Sequence, residues 1–136
     1  MLPMRLLFVG LLLCACVGNE SNEQADADDS KAEVTAPYEE YHPNGALKIQ
    51  GQLLDGERHG DWTSFYDNGL KWSENSYHKG QLNGKTKAYY PNGMLRMTGT
   101  YIDDEKRGEW RFFNEEGAMV KRMDFNVDPP AEMPVQ

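Results

Sequence analysis

The chain has 136 residues, a formal net charge of -8 from 14 basic and 22 acidic side chains, and two cysteines. That length holds at most one domain, and two cysteines exclude a disulfide scaffold. Residues 41–125 carry twelve acids and twelve bases, so this part of the chain is neutral and lacks the basic stripe that nucleic-acid binding demands.

The chain opens "MLPMRLLFVGLLLCAC", one basic residue (Arg5), an apolar run from Leu6 to Leu13, then small residues and cysteine. This is the layout of a secretory signal over residues 1–15. The run is shorter than the roughly 20 residues that cross a bilayer. Leu13-Cys14-Ala15-Cys16 resembles the lipobox of bacterial lipoproteins, which implies lipidation of Cys16 after cleavage. A plain signal peptide with two incidental cysteines is the alternative. For a Gram-negative source the resemblance, with Val17 rather than aspartate after the cysteine, implies the bacterial outer membrane, on either the periplasmic or the surface side. Several acyl chains anchor stably where one is marginal.

Residues 16–40 follow as an acidic segment. From Val17 to Glu40 there are eight acids against the single base Lys31, with no large aromatic before Tyr38. Such a composition buries too little apolar surface to offset chain entropy, so a flexible tether is expected.

Residues 41–125 repeat every 24 positions. Gly45, Gly69, Gly93 and Gly117 keep that interval, as do Gly60, Gly84 and Gly108; Tyr41, Phe65, Tyr89 and Phe113; and Leu53, Tyr77, Tyr101 and Phe125. Columns in strict register without insertions signal a repeat architecture in which each unit buries its apolar face on its neighbours. Segments such as "DWTSFY" at 61–66 read as short strands. The Pro-Asn-Gly stretches at 43–45 and 91–93 read as type I turns with glycine in the left-handed position. The other connection, "DGERHG" and its equivalents, reads as a longer turn closed by Gly60, Gly84 or Gly108. All seven glycines are therefore structural.

The expected fold is all-β: a single-layer antiparallel meander of about eight strands, built from 24-residue hairpins. Odd positions such as Leu47, Ile49, Leu95 and Met97 form its packed face, and aromatic columns stack along the repeat axis. Gly51 and Gly99 fall inside strands, where a missing side chain lets a neighbouring ring lie flat. Residues 126–136, with three prolines, are expected to be a disordered tail.

The pattern of an aromatic pair, Asn-Gly, an apolar residue, a tyrosine and then G-x-x-x-G resembles the MORN repeat variant, and the array of repeats resembles the YwqK-type antitoxin family. The resemblance covers residues 41–125 and implies an elongated sheet serving as an interaction surface. It brings no catalytic residue. His42, His59 and His78 occupy three different places in the repeat and are expected at the surface, so neither metal, cofactor nor enzymatic activity is expected.

The aromatics have two readings, packing spine or binding face. Trp62, Tyr66, Trp72, Tyr90 and Trp110 are the candidates for a face that binds an envelope protein, and Trp72 stands out because it interrupts the polar series of Lys48 and Arg96. Self-association through edge strands and antitoxin-like neutralisation of a partner toxin are the alternatives.

Overall fold

The computed structural model describes residues 33–135. The expected signal, Cys16 and most of the expected tether lie outside the described residues. The described chain forms nine strands, β1 (Thr35–Tyr41), β2 (Leu47–Leu54), β3 (Glu57–Phe65), β4 (Lys71–His78), β5 (Gln81–Tyr89), β6 (Leu95–Ile102), β7 (Glu105–Phe113), β8 (Met119–Asp124) and β9 (Ala131–Met133). They make one antiparallel sheet whose spatial order is the chain order. The single-layer meander of hairpins stands as the sequence implied.

Its boundaries differ from the expectation at both ends. The sheet begins at Thr35, inside the stretch expected to be tether, because an edge strand needs little apolar surface. Tyr38 alone is half-buried in β1, while Glu39 and Glu40 point to solvent and Pro37 sits on a strand with a free edge. Beyond residue 125 the prolines delay the ladder without ending it, and β9 pairs with β8 through Arg122↔Met133 and Asp124↔Ala131.

Two kinds of turn alternate. After β1, β3, β5 and β7 the loop is a type I turn followed by a left-handed glycine: the Gly45 amide donates to the His42 carbonyl and the His42 amide to the Ala46 carbonyl, with equivalents at Tyr66, Tyr90 and Asn114. The other connection is shorter than expected. Asp55 and Gly56, with φ of 50° and 86°, make a two-residue hairpin, repeated at Lys79-Gly80 and Asp103-Asp104. Both central residues in the left-handed region define the tight type I′ turn. Gly60 is therefore not a turn residue but lies within β3, again with positive φ.

That position is part of an irregularity that organises the packed face. Between the pairs Gln50↔Thr63 and Gln52↔His59, Gly51 alone faces Gly60, Asp61 and Trp62. The opened ladder admits the Trp62 ring, which lies across the Gly51 backbone, and a Cβ there would stand 2.3 Å from the ring. The Trp62 indole N–H donates to the Gln52 carbonyl at 3.1 Å. Gly99 and Trp110 repeat the arrangement, with the imagined Cβ at 2.2 Å. Trp62 and Trp110 are the anchors of the core, 2% and 0% exposed.

Ring contacts run from these tryptophans across columns, not along them. Trp62 meets Tyr38 at 5.3 Å and Tyr77 at 6.2 Å; Trp110 meets Tyr101 at 5.0 Å and Phe125 at 5.8 Å. The expected stacking within each column is thus replaced by tilted and edge contacts, which suit the ring quadrupoles. On the solvent side of each tryptophan lies a cation, the Arg58 guanidinium 4.5 Å above Trp62 and the Lys106 ammonium 4.6 Å above Trp110.

Candidate binding surface

The five aromatics proposed for a binding face divide into three groups. Trp62 and Trp110 are core, as described, and present no free ring; the parity of β3 and β7 turns them inward. Tyr66 and Tyr90 are half-buried, and their hydroxyls are committed within the fold. Tyr66 donates to the Tyr89 carbonyl at 2.7 Å and Tyr90 to the Phe113 carbonyl at 2.8 Å, each reaching the next repeat. Only Trp72 presents a large open surface, at 50% exposed.

Backbone register gives the reason. Ser64 pairs with Ser73 and Phe65 with Lys71, so Trp72 is the extra residue of a bulge. Lys48, Arg96 and Val120 are skipped in the same way in the other repeats. A bulge re-aims its side chain and escapes strict alternation. The column is therefore free to vary in chemistry, and it holds Lys, Trp, Arg and Val in succession. Trp72 borders a groove of about 490 Å³ shared with Glu40, His42, Lys48, Phe65 and Tyr66, and its ring centre lies 6.5 Å from that of Tyr66.

His42 was expected to be an exposed surface residue; it is half-buried and belongs to the tyrosine column. Its Nε2 lies 3.0 Å from the Phe65 carbonyl, the bond that Tyr66 and Tyr90 make one and two repeats later. A carbonyl only accepts, so Nε2 carries the proton there. His59 and His78 pair across β3 and β4 with ring centres 5.2 Å apart. His59 is half-buried and its Nδ1 has no partner, whereas His78 is exposed. The seven glycines marked as structural all have positive φ.

Asparagines stitch the loops. Asn44, Asn68 and Asn92 each accept a bond from the amide two residues on, and each donates Nδ2–H to a backbone carbonyl of the next loop, at Asp67, Pro91 and Glu115. In the fourth loop Glu116 stands at the asparagine position, and Asn114 caps the turn through the Ala118 amide instead.

Charge on the opposite, polar face is locally balanced. Hydrogen bonds from Lys71 and then Tyr89 hold the Glu74 carboxyl below the usual carboxylate range. Burial, then the bond to Glu74, pushes the Tyr89 hydroxyl up to about 12. Glu109 is lowered by Arg122 and Arg111. Among the described residues no three His, Cys, Asp or Glu side chains are grouped to hold a metal ion.

Two residues were not singled out in the sequence, Asn75 and Thr86. They stand where the flanking repeats have Gly51 and Gly99, and Trp62 and Trp110. The Thr86 hydroxyl donates to Asn75 Oδ1 at 2.6 Å, and the pair stays in register. Their signal was a broken column, Gly-Asn-Gly against Trp-Thr-Trp, visible at the 24-residue interval.

No curated protein and no solved structure matches the chain significantly. A family model described as the MORN repeat variant matches residues 35–55, 58–79 and 82–103. Each match runs from one β-strand through the loop with the left-handed glycine (Gly45, Gly69 or Gly93) into the next strand and stops at the tight two-residue turn, so the chain carries three consecutive repeats of the MORN variant.

Proposed function

We propose that this chain is a non-enzymatic, lipid-anchored repeat protein of the bacterial outer membrane whose sheet is a scaffold for another envelope protein. Repeats of this variant are generally associated with protein or membrane binding. Balanced charge in the domain gives an anionic lipid surface no purchase, which favours protein. The observation that carries the reading is Trp72, a half-exposed tryptophan held on a bulge beside a groove, where packing register makes no demand for an indole. Exposed tryptophans contribute strongly to interfaces.

The anchor rests on Leu13-Cys14-Ala15-Cys16. Metabolic labelling with a palmitate analogue tests it, and a Cys16→Ser variant that still takes up label would sink it. The antitoxin role is not adopted, because an exported chain would not meet a cytoplasmic toxin. Edge pairing has weaker support than partner binding, since Pro37, Glu39 and Glu40 blunt β1 and β9 has three residues.

Affinity capture from crosslinked envelopes, with wild-type and Trp72→Ala protein in parallel, tests the binding reading. One protein recovered in stoichiometric amount by the wild type and lost with the variant supports it. Equal recovery by both removes Trp72 from the interface.

A further inference from the structure

The Gly/Trp wedge that fills the packed face at both ends of the array is missing from its middle. Where Trp62 and Trp110 lie in the flanking repeats, Thr86 leaves a notch of about 210 Å³ walled by Trp72, Tyr77, Leu82, Met97 and Tyr101. An apolar cavity of roughly 150 Å³ accommodates a benzene ring. The wall is aromatic and aliphatic, and the floor is the Asn75–Thr86 pair, already satisfied by its own hydrogen bond. Arg96 stands at the rim, and no carboxylate lines the notch. Lys87 borders the notch only between Thr86 and Ala88, and its ammonium is turned to Glu74 on the polar face at 3.9 Å, whereas Arg96 has no ion-pair partner among the described residues.

The fold itself shows what such a space takes. At both equivalent positions it is filled by an indole in edge contact with the tyrosine or phenylalanine of the Tyr77–Tyr101–Phe125 column. In both, a cation closes over the ring, Arg58 or Lys106, whereas the middle repeat has Leu82 there. The middle repeat keeps the aromatic walls, lacks the ring, and sets its positive charge at the rim.

We infer that this notch is a binding site for one aromatic side chain, tryptophan above all, carried by an acidic segment of a partner protein. The ring seats between Tyr77 and Tyr101, with Met97 against it, and flanking carboxylates meet Arg96. Trp72 at the mouth joins the notch to the surface proposed above, so the inference rests on that reading and specifies the partner's chemistry.

The test uses purified protein carrying ¹³C-methyl methionine, with the Met97 signal assigned by a Met97→Leu variant. The probe is the peptide acetyl-Glu-Glu-Trp-Glu-Glu-amide. The expected result is a saturable upfield ring-current shift of the Met97 methyl, absent with the matching leucine peptide. Arg96→Glu should weaken binding about twofold to fivefold. The Asn75→Gly/Thr86→Trp double variant rebuilds the wedge of the flanking repeats and should abolish the peptide-induced shift. A shift of equal size in the filled variant, or none in the wild type, would overturn the inference. So would a Met97 shift that follows protein concentration without peptide, which would give the notch to a second copy of the chain. The comparison of tryptophan and leucine peptides on the wild type decides the matter even if the double variant fails to fold. A partner captured through Trp72 but retained by the filled variant would leave the wider binding reading standing and remove the notch from it.

Discussion

The outer repeats and the middle repeat solve one packing problem in opposite ways. At Gly51/Trp62 and Gly99/Trp110 the ladder opens three residues against one, a ring lies on bare backbone, and a cation covers it. At Asn75/Thr86 the ladder stays closed for one more pair, and a hydrogen bond occupies the position of the ring. The wedge maximises burial but demands glycine; the polar pair tolerates side chains on both strands but leaves space. A sheet with one layer has no second face to fill that space, so the choice within each repeat decides where its surface is closed.

The sharpest break of this contrast is Trp110→Ala. Removing a fully buried indole should cost about 3 to 5 kcal/mol, measured by urea unfolding, whereas Thr86→Ala should cost far less. Next is Gly99→Ala, where the new methyl collides with a ring held on both sides. Overpacking of this kind costs about 1 to 3 kcal/mol, and the matching Asn75→Ala change, which strands a buried hydroxyl, should fall at the lower end of about 1 to 3 kcal/mol.

Coupling sharpens the same contrast. Thr86→Trp alone should destabilise, because Asn75 occupies the path of the ring, and Asn75→Gly should rescue it, with an interaction energy of about 0.5 to 3 kcal/mol in a double-mutant cycle. Additive effects would show that the two kinds of repeat are not interconvertible. Tyr66→Phe, which leaves the Tyr89 carbonyl short of a donor, should cost about 0.5 to 1.5 kcal/mol.

The smallest effect is in pH. Glu74 titrates lower in the folded chain than in the unfolded one, so its contribution is complete above the ordinary carboxylate range and is lost as pH falls through the lowered folded value. Tyr89 titrates higher when folded, so its contribution is complete below the ordinary tyrosine value and is lost as pH rises towards about 12. A Glu74→Gln variant should flatten the acid limb of the urea midpoint against pH and only reduce the alkaline one, because burial, the larger cause at Tyr89, remains. An unchanged profile would show that the pair on the polar face carries no pH-dependent stability.

Much of this could be read before any coordinates. The 24-residue interval gave the hairpins, and glycines inside strands announced a ring lying across them. Trp62 and Trp110 are hard to place from the longer strands alone, because the two-residue hairpins that lead into β3 and β7 pass the packed face from odd to even positions, as in Leu53↔Arg58 and Tyr101↔Lys106. His42 was missed because a histidine in a tyrosine column looks like an exception, although both donate to a carbonyl. Asp55-Gly56 reads from the sequence as part of a longer loop because Gly60 looks like its closing residue, whereas the positive φ of Gly60 serves the opened ladder. The notch was the least legible, since it is defined by what two columns lack.

The asparagine bonds give the sheet a direction. Each loop donates forward to the carbonyl of its successor, from Asn44 to Asp67, Asn68 to Pro91 and Asn92 to Glu115, until Glu116 ends the series and Asn114 turns back on its own loop. Growth is thus written into the chain as a cassette with a terminator. Copies of the 24-residue unit could be spliced in ahead of the last loop to lengthen the ribbon, while one placed after it would meet no outstretched donor.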